Sequence, residues 1–218
     1  LKSEIPILIK NTFKPEHPGT QIKKEIKRKG GIIRGLSSIE DVSLITIKGS
    51  GMIGVTGVAS RIFGALAARN INIILITQSS SEHTITLAVL PEFAADAKES
   101  ISEEFSEEFK ADIIDEIRIE NDLSIVAVVG DNMRQIPGIA GRVFNALGRN
   151  GINIVAIAQG SSERNISFVI DRKNEKKAMN TLHDAFFLSG VKTMNLFLVG
   201  VGLIGSTLLE MLSDHAEE

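Results

Sequence analysis

The chain has 218 residues, 43% of them apolar and 23% charged, with a formal net charge of -3 and acidic and basic side chains mixed along most of its length. That profile fits one or two globular cores and offers neither the basic surface of a nucleic-acid binder nor a membrane-seeking one. No cysteine is present, which excludes disulfides, thiol catalysis and cysteine-ligated metals and suits the cytoplasm; no apolar run approaches the roughly 20 residues of a membrane helix.

The first residues carry neither an initiator methionine nor the layout of a signal peptide, so Leu1 reads as a boundary inside a longer protein. The basic cluster Lys23, Lys24, Lys27, Arg28 and Lys29 reads as a solvated helix face. From residue 41 the chain repeats itself. Residues 41–89 align without a gap to 122–170 at an offset of 81, and nineteen pairs are identical, among them Gly57/Gly138, Arg61/Arg142, Phe63/Phe144 and Gln78/Gln159. Chance would give about three at ordinary residue frequencies, so the chain holds two copies of one unit.

Each repeat opens with a β-branched, apolar run, Val42 to Ile47 and then Leu123 to Val129, which predicts a buried strand. A loop follows, and then a helix of about three to four turns, over 57–69 and 137–150. In the second copy Ile139, Val143, Phe144 and Leu147 give it an apolar stripe, Pro137 suits its first turn, and Asn150-Gly151 suits a left-handed stop. Two strand-like runs joined by a polar connection come next, in the second copy 152–159 with 165–171, a hairpin pattern. Val155 and Ile157 lie opposite Ile154 and Ala156, so both faces of that strand call for burial, which close pairing of units within or between chains would provide. A second helix follows, about 91–109 and 172–187. A strand near 113–119 closes the first repeat as β-α-β-β-α-β. For the second, the closing strand lies near 188–194 or comes from elsewhere. The fold class is therefore α+β, with two antiparallel sheets each covered by two helices on one face.

The loops between first strand and helix, 49–57 and 130–138, are the places where a ligand can meet backbone. Gly51 lets the main chain approach a ligand, and the following helix N-terminus offers N–H groups to a carboxylate; a tight turn is the alternative reading. Asp131 and Asn132 suit an ammonium or hydroxyl group and equally suit a helix cap. Asn72 and Asn153 start the second strands, and Gln78 and Gln159 end them, as solvent contacts or as ligand contacts. The Ser-Ser-Glu turns at 80–82 and 161–163 have no recurring histidine beside them: His83 is matched by Arg164, so no shared catalytic base emerges. No metal-ligand spacing is present among the histidines. Finally, an apolar run from Asn195 meets Gly200, Gly202 and Gly205 and then a helix-like stretch, 206–212. This is the strand-glycine-helix context of a dinucleotide fingerprint, whose acidic ribose partner would lie beyond Glu218.

Several of these segments resemble one family. Ile5 to Pro15 with Pro18, Gly19 and Thr20 resembles the link from an aspartate kinase catalytic domain to its regulatory region. Ile45 to Met52, Gln78 to His83 and Val128 to Met133 resemble the paired ACT domains of those enzymes, and Asn195 to Gly205 resembles the start of homoserine dehydrogenase. That order is similar to the bifunctional enzymes that fuse the two activities. The resemblance implies two ferredoxin-like ACT units in tandem, at 41–120 and 121–191, after a kinase tail and linker at 1–40 and before the first β-α of a truncated Rossmann domain at 192–218. It implies a parent that uses ATP with a divalent metal and NAD(P), feedback control by a free amino acid, usually threonine, and homo-oligomers formed through ACT units. By resemblance, the effector contacts are Gln78, Gln159, Asn72, Ile73, Asn153 and Ile154 with the loop residues Gly51, Met52, Asp131, Asn132 and Met133. The fragment itself is expected to hold no catalytic residue, no metal and no complete cofactor site. The competing expectation is an ACT-type dimerisation module with no effector.

Overall fold

The computed structural model describes residues 5–22, 32–52, 54–78, 83–131, 133–159, 164–188, 199–200 and 202–214. The basic cluster at 23–29, both Ser-Ser-Glu turns, Asn132 and the run 195–198 lie outside them. Two compact units are present, Leu1–Ala185 and Phe186–Glu218.

In the first unit, β1 (Ile7–Ile9) and β2 (Thr20–Ile22) pair as a small antiparallel hairpin with exposed side chains. The remaining strands are β3 (Ile33–Lys48), β4 (Leu75–Gln78), β5 (Thr84–Val89), β6 (Glu116–Gly130), β7 (Ala156–Ala158) and β8 (Asn165–Asp171). They form one six-stranded sheet in the order β4-β5-β3-β6-β8-β7. The sequence predicted two sheets; the two are continuous because β3 and β6 are each long enough to serve both repeats.

The register explains how. The second half of β3 pairs with the first half of β6, Leu44 with Glu120 and Ile47 with Ile117, and this closes the first repeat. The first half of β3 pairs with the second half of β6, Leu36 with Val128 and Ile39 with Ile125, and this closes the second. The missing strand of the second repeat thus lies at 33–39, upstream of the first repeat, in residues read from sequence as linker; the 188–194 alternative is not needed. The exchange is reciprocal, since adding the offset of 81 to the 33–48 span gives 114–129. Asp41 and Asp122, equivalent under that offset, both adopt positive φ of 57° where the register shifts. An aspartate tolerates that left-handed geometry better than a β-branched neighbour would.

Alternation along β3 decides what each face meets. Ile45 and Ile47 point to the helices and join Ile85, Leu87 and Val89 in a core under α1 (Val58–Ala68) and α2 (Ala94–Glu104). Val42 and Leu44 point the other way and pack with Leu75, Ala88, Leu123, Ile125 and Val169, so the helix-free faces of the two repeats share one apolar cluster. That cluster covers the helix-free faces within one chain, but the expected burial of both faces is not met on the strand that called for it, where Val155 and Ile157 stay exposed. The predicted second helix of the first repeat is broken at Phe105, and α3 (Ser106–Lys110) follows as a separate turn. In the second repeat α4 (Ile139–Arg149) buries Ile139, Val143 and Leu147, and α5 (Glu175–Phe186) buries Ala178 and Leu182.

Both first helices start one residue after a glycine at φ 89°, Gly57 and Gly138. Pro137 therefore precedes the helix and is not in its first turn, because the left-handed Gly138 stands between them. At the far end the left-handed position is taken by Gly151 in one copy and by its equivalent Asn70 in the other.

In the second unit, Gly200 has φ 94° and α6 (Leu203–Asp214) follows, starting before the predicted 206 and so including Gly205 in its first turn.

Candidate functional site

The first repeat carries a cleft of about 260 Å³ between the 52–57 loop, the first turn of α1 and the end of β4. Gly57, Val58 and Ala59 line one side, and Gln78 and Ile85 the other. Pairing of Gln78 with Ile85 puts both on the helix-bearing face of the sheet. No side chain caps α1, so its first-turn N–H groups remain the ready donors for an anionic group. Gln78 is exposed and brings one amide that both donates and accepts.

The other predicted contacts divide. Met52 is buried and floors the cleft. Gly51 serves packing: a Cβ there would lie 2.8 Å from Ile113 Cα, and its N–H donates to Ile113 O at 3.2 Å. Gly49 is equally constrained, by Ile113 O at 2.3 Å from a built Cβ, and the Ser50 N–H donates to Asp115. The glycines of this loop thus accommodate the 113–115 backbone. Asn72 is exposed and Ile73 packs on the helix-side core, neither lining the cleft. In the second repeat Asp131 neither caps α4 nor stands open: its carboxylate accepts from Arg34 Nε at 2.7 Å, a residue of the exchanged strand. Met133 is buried, Asn153 and Gln159 are exposed, and Ile154 is half-buried.

Charge holds α1 in place. Arg61 donates to Glu104 at 2.7 Å and to Glu108, and its guanidinium lies 4.3 Å from the Phe105 ring centroid. That hydrogen bond from Arg61 holds the Glu108 carboxyl below the usual carboxylate range. About two turns further on, at the C-terminal end of α1, Arg69 bonds Glu99 at 2.7 Å and Glu103 at 2.5 Å. The equivalent of Arg61, Arg142, donates instead to the Ala185 carbonyl.

Two further clefts lie on the helix-free faces, and sequence reading missed both. One, about 260 Å³, is lined by Thr46, Thr77, Thr86 and Glu120 with Ile157 from β7; the other, about 400 Å³, by Ala127, Ala158, Ser167 and Ile39 with Ile76 from β4. Those lists are equivalent under the offset of 81. The only sequence signal was the threonines at alternate positions 84 and 86, which acquires meaning only once register is known.

The ACT domain model matches residues 45–105 and 126–186, together more than half the chain. The chain belongs to the ACT-domain family. Across its whole length it is 41% identical to the bifunctional aspartokinase/homoserine dehydrogenase of Haemophilus influenzae, covering 26% of that protein. It is 38% identical over 99% of its length to a chloroplastic enzyme of the same name from Arabidopsis thaliana, covering 24% of it. The chain thus spans about a quarter of the curated relatives it matches. Among solved structures it resembles the allosteric aspartate kinase of Clostridium acetobutylicum, with TM-score 0.73, 27% identity, and coverage of 85% of this chain and 42% of that one. It also resembles the regulatory subunit of aspartate kinase from Thermus thermophilus, with TM-score 0.60, 26% identity, and coverage of 71% and 99%. The aspartokinase III of E. coli, solved with lysine and aspartate, matches at TM-score 0.65 and 25% identity over 85% of this chain and 40% of that one. The pair of ACT domains is an aspartokinase-type regulatory region.

Proposed function

We propose that the chain is the amino-acid-sensing region of a bifunctional aspartate kinase/homoserine dehydrogenase, with threonine as the effector. The observation that carries this reading is the cleft shared by Gln78 and the uncapped start of α1: a free amino acid presents a carboxylate for helix N–H groups and an ammonium for carbonyl or amide oxygens. An effector that binds one arrangement of the repeats more tightly shifts the whole protein toward it by its differential affinity. Gln159 is the equivalent contact in the second repeat, where the Arg34–Asp131 pair gives the loop a different charge pattern and hence a different affinity.

In this reading the parent runs ATP- and metal-dependent aspartate phosphorylation and NAD(P)-dependent reduction with residues outside this sequence. Gly200, at positive φ, and Gly202, where a Cβ would meet nothing within 4 Å, fit the tight turn of a dinucleotide site, to which they would contribute the phosphate end. The exposed Ile76 and Ile157 on the edge strands β4 and β7 favour homo-oligomers through the ACT units.

Calorimetric titration with threonine, lysine, methionine and isoleucine tests the proposal. Threonine binds, and Gln78→Ala weakens it by about 1 to 3 kcal/mol because a polar group of the ligand loses its partner. Threonine binding that is unchanged in Gln78→Ala, Gln159→Ala and the double variant refutes the site. A second reading, an assembly module without effector, draws on the internal use of the Gly51 N–H and the Asp131 carboxylate; no heat with any of the four amino acids would establish it.

A further inference from the structure

The helix-free cleft of the first repeat is built differently from its twin, and the difference is chemical. Across the sheet Thr77 pairs with Thr86, Thr86 faces Thr46, and Thr46 pairs with Arg118, so one row of side chains on three strands is hydroxyl-bearing. The Thr46 and Thr86 hydroxyls lie 3.2 Å apart. The next row runs Leu75, Ala88, Leu44 and ends on Glu120. Ala156 of β7, paired with Val169, faces this floor, and Val155 and Ile157 border the cleft, completing an apolar wall.

In the second repeat the same positions read Ala158, Ser167, Ala127 and Ser37 in the first row, and Ala156, Val169, Ile125 and Ile39 in the next. Three threonines have become one serine and two alanines, and the carboxylate has become an isoleucine. Identical scaffolding therefore encloses a threonine-lined cleft with a carboxylate at its edge in one copy and a larger one, without a charged side chain and lined by serine, alanine and isoleucine, in the other.

Glu120 is half-buried and forms an ion pair with the exposed Arg118, whose Nε stands 3.6 Å from its Oε1, too far for a hydrogen bond. Among the described residues its carboxylate accepts no hydrogen bond from a side chain. A partly desolvated carboxylate beside hydroxyls that both donate and accept is matched by an ammonium group with a neighbouring hydroxyl, on a carbon frame short enough for the apolar wall. A second carboxylate on the ligand would face Glu120 and be disfavoured.

We propose that this cleft is a binding site for small primary ammonium compounds bearing a hydroxyl group, on the opposite face of the sheet from the cleft at the start of α1 and sharing only Gln78 with it. Because the floor belongs to the first repeat and the wall to β7 of the second, a ligand here bridges the two repeats.

The test uses the whole 218-residue chain, isotope-labelled, with 2-aminoethanol as probe and ethylene glycol as the uncharged control, followed by backbone amide NMR shifts. The expected result is a saturable shift at Thr46, Thr77, Thr86 and Glu120 with 2-aminoethanol at millimolar concentration and none with ethylene glycol. Glu120→Gln, similar in shape and charge-neutral, weakens binding at least tenfold. Shifts that do not saturate, that spread over surface carboxylates, or that persist unchanged in Glu120→Gln overturn the proposal. So does an equal response to ethylene glycol. Failure of Glu120→Gln to fold, read by circular dichroism, transfers the decision to Thr86→Val, where binding of 2-aminoethanol that is unchanged overturns it.

Discussion

Ser43 and Ser124 are equivalent under the offset of 81, both fully buried in the centre of the shared sheet, and they should respond to alanine with opposite sign. The Ser43 hydroxyl donates to Asn121 Oδ1 at 2.7 Å. The equivalent of Asn121 is Glu40, which is exposed, and the Ser124 hydroxyl has no partner among the described residues. Ser43→Ala removes a hydrogen bond worth about 0.5–1.5 kcal/mol net, and the exposed Asn121 can turn to water, so the cost stays near 1 kcal/mol. Ser124→Ala removes a hydroxyl whose unmatched burial costs about 1–3 kcal/mol, against the small void left by one oxygen, for a gain of up to about 1 kcal/mol. The change in volume and strand propensity is the same at both sites, so their difference, about 1–2 kcal/mol, isolates the bond. Urea unfolding followed by circular dichroism reads it as midpoints moving in opposite directions, by about 0.3–1 M per kcal/mol at unchanged slope. Equal destabilisation by both substitutions would refute the reasoning.

Gly51→Ala forces a Cβ against the Ile113 backbone and should cost about 1–3 kcal/mol, whereas Gly64→Ala, exposed on α1 with open space around it, should stabilise by about 0.5–1 kcal/mol; thermal melts of the two variants would show shifts of opposite sign. Glu108 titrates below its ordinary value of 4.5 because Arg61 bonds it, so its contribution is present above the unfolded value and lost as pH falls through the lowered folded one. Stability measured from pH 6 downward should therefore fall more steeply in the parent than in Glu108→Gln, and matching acid profiles would contradict the assignment. Proline at Leu36 or at Ser37 must in one of the two cases remove an N–H that pairs with β6. Hydrogen exchange should then accelerate at Val126, Val128 and Val169 of the second repeat and leave β5 of the first protected, although the substitution precedes both; loss confined to the first repeat would deny the strand exchange.

The cleft at the start of α1 was partly legible in sequence. The loop before the helix and Gln78 at a strand end were each visible as local features, and only the family resemblance joined them as contacts of one ligand; Met52, Gly54 to Gly57 and Gln78 line one cleft. Gly51 was misleading. A glycine in a loop reports that something comes close, and here it is Ile113, more than sixty residues away, whose identity no local pattern carries.

By itself the sequence determined the duplication, the type of most elements within the two repeats and the helix-facing residues, because those follow from side-chain periodicity within a dozen residues: Ile139, Val143 and Leu147 are buried as their spacing requires. The start of α4 was set two residues later than the proline signal suggested, by Gly138 at positive φ. Tertiary structure alone decided which strand closes which repeat. The run Ile33 to Ile39 is a competent strand in any sheet, and only the continuous pairing of β3 with β6 assigns it to the second repeat. Strand partners are chosen by register and packing between segments far apart in the chain, so the same pairing that closed both repeats also created the two helix-free clefts, and neither was written in any one stretch of residues.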